Sequence, residues 1–470
     1  MYGPHLLIAW EPPLKDIHPA MDLLYARAQM GLSLAFHIVF AAAGIALPLL
    51  MVLSDLKARR TGDAHYVTLS RKLAKGTAIL FAVGAVSGTV LSFELGLLWP
   101  ELMGTYGEVI GLPFALEGTA FFTEAVFLGI YLYGRDRISP SLHLFSGVMV
   151  ALSGAASAFF VTLVNAFMNH PAGFTPTPHG PVDVDPVAAM FGPSWLHQTS
   201  HTLVACYQAS AFAMAGIHAL VLLRHPGSTF HRKALSIALP LACATALLQP
   251  LIGDLSAKHV ATAQPVKFAA LEAHFETARG APISLGGLPD VETATTRYAL
   301  EIPKALSILA FNDPDAEVKG LKEFPRDEWP PIAKVHFAFQ LMVGTGTTMA
   351  LLAALTLFLR FRRKAWPDGR RMLWAWLLCG PLGVVAMEAG WLTTEWGRQP
   401  WIIHGVMRTA DAVTPVPHLA APFWTFTLVY AFLGVMVVFL LVRQVAGTLP
   451  GHEGAGGHDA HDDPEPSHAH

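Results

Sequence analysis

Ionisable and metal-ligating side chains recur at helical spacing inside long apolar stretches of this sequence, where burial is costly and each is a candidate for function. Glu117 and Glu124 are seven residues apart, close to two helical turns, so both carboxylates share one face. Glu388 and Glu395 repeat that spacing, with Trp391 between them and Arg398 just beyond. His197 and His201 are one turn apart, and His336 precedes Met342 in another apolar stretch. His37 lies about ten residues into the first stretch, roughly 15 Å along a helix. Buried carboxylates are candidates for carrying protons. Histidine, methionine and carboxylate can ligate haem iron when facing helices bring them together, and a His/Met pair makes a six-coordinate electron-transfer site. A haem with one protein ligand keeps an open position where O2 can bind. Arg27 and Arg398 could pair with haem propionates, because guanidinium matches carboxylate geometry bidentately.

Each residue also has an ordinary reading. A lone histidine in a span is more often hydrogen-bonded structure than ligand, and His197 and His336 are assigned that way. Met342 is one of 15 methionines, and a lone Met usually fills a core. Glu117 near a span mouth could reach the headgroups, and Arg398 could be an interfacial anchor. Glu124 has no basic partner in its own span and resists such a reading. Residue types and spacing alone lead to a redox or proton-handling membrane protein, and stop there.

The elements that must position these groups are membrane helices. The chain has 470 residues, 53% hydrophobic and 14% charged, whereas soluble proteins carry about 25% charged residues. That deficit suits a lipid-facing surface. A net charge of -3 does not suggest a nucleic-acid partner. Cys206, Cys243 and Cys379 lie singly in apolar runs, which excludes a disulfide framework or a Cys-x-x-Cys zinc site. Spanning hydrocarbon takes roughly 20 apolar residues in helix. Nine runs qualify, near 28–54, 76–98, 113–134, 143–165, 197–223, 234–254, 333–360, 372–394 and 421–444. Lys and Arg crowd alternate loops: Lys57 to Lys75, Arg135 and Arg137, Arg224 to Lys233, and Arg360 to Arg371. Loops 99–112 and 166–196 hold no Lys or Arg. This alternation places the N-terminus outside and the C-terminus in the cytoplasm. All the residues singled out then fall in the outer half of the membrane.

The expected organisation is a variable extension over 1–20, six spans within 21–254, an outside loop at 255–332, three spans within 333–445, and a disordered His/Asp-rich tail at 446–470. The stretch Lys267-Phe-Ala-Ala-Leu-Glu272 in the outside loop is helix-forming and amphipathic, which argues for order there. No stretch reads as a cleavable signal peptide.

From about residue 21 to 445 the chain resembles subunit I of the cytochrome bd-type quinol oxidases. The most specific match is Gly397-Arg-Gln-Pro-Trp401, preceded by Glu388-Ala-Gly-Trp391 and Glu395. Others are Pro113-Phe-Ala-Leu-Glu117-Gly, Lys267-x-x-x-x-Glu272, His201-Thr with Tyr207, Phe337-Ala-Phe-x-x-Met342, and Arg27-x-Gln29 ahead of His37. The resemblance implies an all-α membrane protein, with two four-helix bundles, one further helix and an outside quinol-binding loop (the Q loop). It implies that His201 and Met342 ligate a low-spin haem b. It implies that His37 and Glu395 are axial ligands at a di-haem site, normally a high-spin haem b and haem d, with a third haem b replacing haem d in some members. Lys267 and Glu272 match the quinol-oxidation residues, Trp391 would lie between haems, Glu117 and Glu124 match buried carboxylates near the haems, and Ser157 and Asn165 match polar residues on the family's proton or oxygen routes. Arg27 and Arg398 look like propionate partners. The implied activity is electrogenic oxidation of ubiquinol or menaquinol by O2 in the bacterial inner membrane, without proton pumping. The implied partners are a second multi-span subunit, often a small single-span one, and the bilayer.

There are departures. Gln340 stands where the family often has Arg two residues before the methionine ligand, and Gln198 stands where it often has Lys. Both remove positive charge near one haem. The Q loop is short, and with Arg408-Thr-Ala-Asp-Ala-Val413 it looks closer to the cyanide-insensitive branch. Two other classes compete. An electron-transfer cytochrome b would leave His37 and Glu395 as structure and would not bind CO when reduced. An ion-coupled transporter often shows paired repeats, which the sequence lacks, and would be colourless.

Overall fold

The computed structural model describes residues 14–446, with side chains from residue 21 onward. Residues 447–470 of the expected tail, and residues 1–13 of the expected extension, lie outside the described residues; Ala446 and residues 14–20 are helical.

A peptide group in hydrocarbon finds no water, so the apolar runs close their hydrogen bonds internally as helices. Helices α1 (Leu14–Thr61), α2 (Ala64–Leu98), α3 (Pro100–Gly134) and α4 (Pro140–Asn169) pack as one bundle. A short α5 (Pro186–Met190) precedes α6 (Trp195–Arg224) and α7 (Thr229–Ala263). The Q loop holds α8 (Pro265–Leu271) and α9 (Ala305–Phe311). Then come α10 (Ile332–Arg363), α11 (Arg370–Cys379) and α12 (Leu382–Arg398), which complete a second bundle with α6 and α7. After the one-turn α13 (Thr409–Ala412), α14 (Ala420–Ala446) packs on α1 and α2 from outside. Nine segments among the described residues are long and apolar enough to span, with α11 and α12 sharing one.

The strands are short. They pair antiparallel as β1 (Thr175–Thr177) with β2 (Gly180–Val182), β3 (Ala278–Arg279) with β6 (Glu317–Val318), β4 (Ile283–Asp290) with β5 (Thr295–Ile302), and β7 (Trp401–Ile403) with β8 (Met407–Arg408). The β4–β5 hairpin rests on α10, and α8 is wedged between α7, α10 and α12.

Three expectations need correction. Residues 99–112 are not a loop: α3 runs through them and through Pro113. Leu102, Tyr106, Val109 and Ile110 recur at helical spacing and bury themselves against Trp99, Phe167 and Ile403, which extends the helix N-terminally past Pro113. The eighth span is broken at Gly380-Pro381. Proline has no N–H to continue the ladder. α7 continues to Ala263, so the Q loop starts later than residue 255.

The break coincides with the tightest helix contacts. A Cβ on Gly216 would stand 2.9 Å from Gly380 Cα, and one on Gly383 would stand 2.5 Å from Ala209 Cα. Small residues here let α6 meet α11 and α12 at backbone distance. Gly383→Val should therefore push these helices apart and cost at least about 1–3 kcal/mol, read as a lower thermal unfolding midpoint in detergent; an unchanged midpoint would contradict the packing.

Candidate functional site

The candidate residues gather toward the end of the two bundles away from the loops rich in Arg and Lys. His37 on α1 faces α2, its Nδ1 2.9 Å from Ser87 Oγ. The Ser87 hydroxyl donates within its own helix to Val83 O at 2.9 Å, so Oγ accepts from His37 Nδ1–H. That fixes the tautomer and leaves a lone pair on Nε2, as a metal ligand requires. Gly88 makes room for the ring, since a Cβ there would lie 3.2 Å from His37 Cε1.

His201 on α6 lies against Gly253 of α7, and its Nδ1 is buried with no hydrogen-bond partner. Met342 on α10 lies against Gly390 of α12, where a Cβ would meet Sδ at 3.0 Å. Glycines thus back three of the four expected iron ligands. The fourth, Glu395, accepts from Asn165 Nδ2 at 2.6 Å through Oε1 and pairs with Arg398 through Oε2. Arg398 is 3% exposed, and its Nε and Nη1 are buried without acceptors. A buried guanidinium with two idle donors suits an anionic group such as a propionate, and the unpaired His201 nitrogen suits a metal. The residues present fit haem. Trp391 is half-buried on α12, one turn before Glu395. Arg27 is exposed on α1.

Lys267 on α8 is buried, its Nζ donating to Asn169 Oδ1 at 2.9 Å and to Thr394 O at 3.3 Å. A Cβ on Gly397 would collide with this side chain at 2.9 Å, so glycine lets the lysine lie along α12. Asn169 Nδ2 passes the interaction to Asn165 Oδ1 at 3.0 Å, and Asn165 passes it to Glu395. One hydrogen-bond chain therefore joins the Q-loop lysine to the carboxylate expected at the iron. Burial, and the nearby Arg398 charge, push Lys267 down to about 7. Glu272 follows α8, is 3% exposed, and has no partner for Oε2. Burial pushes it up to about 7 against the opposing Ser284 N–H.

Glu117 and Glu124 do share a face, turned toward α4. Ser157 donates to Glu117 Oε1 at 2.8 Å, and Gly154 leaves space for Glu124, which is buried. The same heptad step reaches Tyr131, over Gly147. Its carbonyl lies 3.1 Å from His143 Nε2, and its hydroxyl 2.8 Å from Ser70 Oγ. His143 and Arg135 each approach Asp55 at 3.5 Å. Polar groups thus recur as an interrupted column along α3, from the Glu117–Glu124 pair to a separate cluster of Tyr131, His143, Arg135 and Asp55 at the end of the bundle rich in Arg and Lys.

Sequence reasoning missed the lower half of this column, although Tyr131 continues the seven-residue step. It missed Glu94 on α2, buried and bound by Gln29 (3.0 Å) and Ser33 (2.9 Å) of α1; a carboxylate inside an apolar run was signal enough. It also missed Asn169 and the imidazole pair His170 and His259, whose nitrogens are 3.3 Å apart.

The Glu272 carboxyl should be neutral below about pH 7 and ionised above it. Infrared difference spectra against Glu272→Gln should show a protonated-carboxyl band fading with a midpoint near 7. A midpoint in the ordinary carboxylate range would refute its desolvation.

Residues 25–448 match the family described as cytochrome bd terminal oxidase subunit I. The chain is 38% identical over 427 residues to the "Putative cytochrome bd menaquinol oxidase subunit I" of Bacillus subtilis strain 168, covering 90% of this chain and 96% of that one. It is 30% identical to the cytochrome bd ubiquinol oxidase subunit 1 of the same organism, covering 90% and 93%. The bd oxidase structure from Geobacillus thermodenitrificans superposes with a TM-score of 0.85 at 40% identity, covering 91% of this chain and 99% of that one.

Proposed function

Because the chain belongs to the cytochrome bd terminal oxidase subunit I family, we propose that it is the haem-bearing subunit of a quinol:O2 oxidoreductase, oxidising two quinols for each O2 reduced to water. The observation that carries this reading is the chain Lys267–Asn169–Asn165–Glu395, which ties a buried Q-loop lysine to the expected iron site. Relatives' names include both menaquinol and ubiquinol oxidases, so quinol is the substrate class.

Haem held by His201 with Met342 (low-spin b) and by His37 and Glu395 (high-spin b, with haem d or a third haem b), propionates at Arg398 and Arg27, would supply electron transfer and an open iron position for O2. The protein's own groups handle binding and protons. Lys267 has three N–H donors and spends two on Asn169 and Thr394, leaving one for a quinol oxygen. Glu272 Oε2, buried and unpartnered, accepts a quinol hydroxyl proton and releases it outward. Trp391, one turn before Glu395 on α12, would lie between the haems and would assist electron passage. Protons for water come from the cytoplasm, and Glu124 and Glu117, on one face of α3, deliver them. Quinol protons leave on one side and water protons enter from the other, so turnover separates charge without a pump.

This requires the N-terminus outside and the C-terminus in the cytoplasm of the bacterial inner membrane. A second multi-span subunit and a small single-span one complete the complex.

Quinol oxidation should follow a bell-shaped pH profile. On the acid side activity falls as Glu272 becomes neutral, and on the alkaline side as Lys267 loses its charge, both near 7. Glu272→Ala should abolish quinol-driven O2 uptake while the reduced-minus-oxidised haem spectrum persists. Wild-type turnover in that variant would defeat the assignment.

A further inference from the structure

His336 and Gln340 stand one turn apart on α10 and both reach into the Q loop. The His336 ring is fully buried and lies between two backbone carbonyls, Nδ1 2.8 Å from Leu271 O and Nε2 2.8 Å from Gly286 O. Carbonyl oxygens only accept, and only the doubly protonated imidazole donates from both nitrogens. Gln340 Nε2 donates to Ser284 O at 2.7 Å, and its Oε1 accepts from Gly286 N–H at 3.3 Å. These contacts converge on Glu272. Leu271 is its chain neighbour, and the Ser284 N–H is the backbone donor to its carboxylate. Gly286 adopts φ +66°, a left-handed conformation suited to glycine, which lets β4 present both its N–H and its C=O to α10.

We propose that His336 and Gln340 are positioning residues for quinol oxidation, a two-rung clasp that sets the Glu272 carboxylate by holding both its backbone and its Ser284 donor. The inference rests on Glu272 serving the quinol site. It gives Gln340 work in place of the charge lost at that position. In the clasp a glutamine suffices, because it both donates and accepts.

The test uses the assembled complex in membranes, with two electron sources: a short-chain quinol, and ascorbate with a phenylenediamine mediator. H336Q keeps an amide that can donate from one group only, so one carbonyl loses its donor and the turn shifts. The expected result is a quinol KM raised roughly tenfold, as a small misplacement of a reacting group would give. Mediator-driven O2 uptake and the haem spectrum should hold. A wild-type quinol KM, or an equal loss with both electron sources, overturns the clasp. If H336Q does not assemble, Q340A, which removes the second rung alone, decides by the same criterion. E272A run in parallel separates the two ideas. Quinol turnover surviving in E272A overturns the quinol-site reading itself, whereas its loss beside an unchanged KM in H336Q overturns the clasp alone.

Discussion

An ammonium group removed from water must be paired or lose its charge, and the buried Lys267 is where that constraint shapes this chain most strongly. Its partners come from two different helices, Asn169 ending α4 and Thr394 in α12. Satisfying one cation therefore fixes α8 against both bundles. The same need propagates along Asn169 and Asn165 to Glu395, and from there to Arg398. Each group is held by the next, so the Q loop and the Glu395 site share one hydrogen-bonded frame. Networks of this kind in low dielectric are rigid when satisfied and costly when broken.

Glycine does the complementary work. Where the frame needs side chains to lie flat on a helix, the helix has no Cβ. Gly397 admits Lys267, Gly390 admits Met342, and Gly88 admits His37. Gly216, Gly380 and Gly383 bring α6 against the α11–α12 break. The break lets the half-helix α12 start afresh at Leu382 and carry Glu388, Trp391, Glu395 and Arg398 together.

The spans were legible because hydrocarbon imposes a length and a composition on every crossing segment. The shared face of Glu117 and Glu124 followed from their spacing alone. What the sequence could not show were pairings between distant segments. Lys267 and Asn169 are 98 residues apart, and Asn165 and Glu395 are 230 apart. No local period encodes such contacts. The N-terminal run of α3 was hidden for another reason. Pro113 reads as a helix start, yet the tertiary contacts of Leu102, Tyr106 and Ile110 outweigh the one hydrogen bond it removes. Glu94 was legible and passed over, since its partners Gln29 and Ser33 sit on another helix.

Gln340 shows why a residue substitution must be read in its surroundings. Against the family's pattern it is a lost positive charge, which would lower the potential of a neighbouring haem. In the structure its amide is engaged with Ser284 and Gly286. An arginine there has donors but no acceptor, so it could not receive the Gly286 N–H. Position 340 therefore faces a choice between charge near the haem and a neutral, two-way contact with the loop. The hairpin also meets α10 through His336, and Ala294 joins the same apolar cluster as Ile332 and Val335. The contact that costs the charge is nonetheless the one that fixes the β4 backbone beside Glu272.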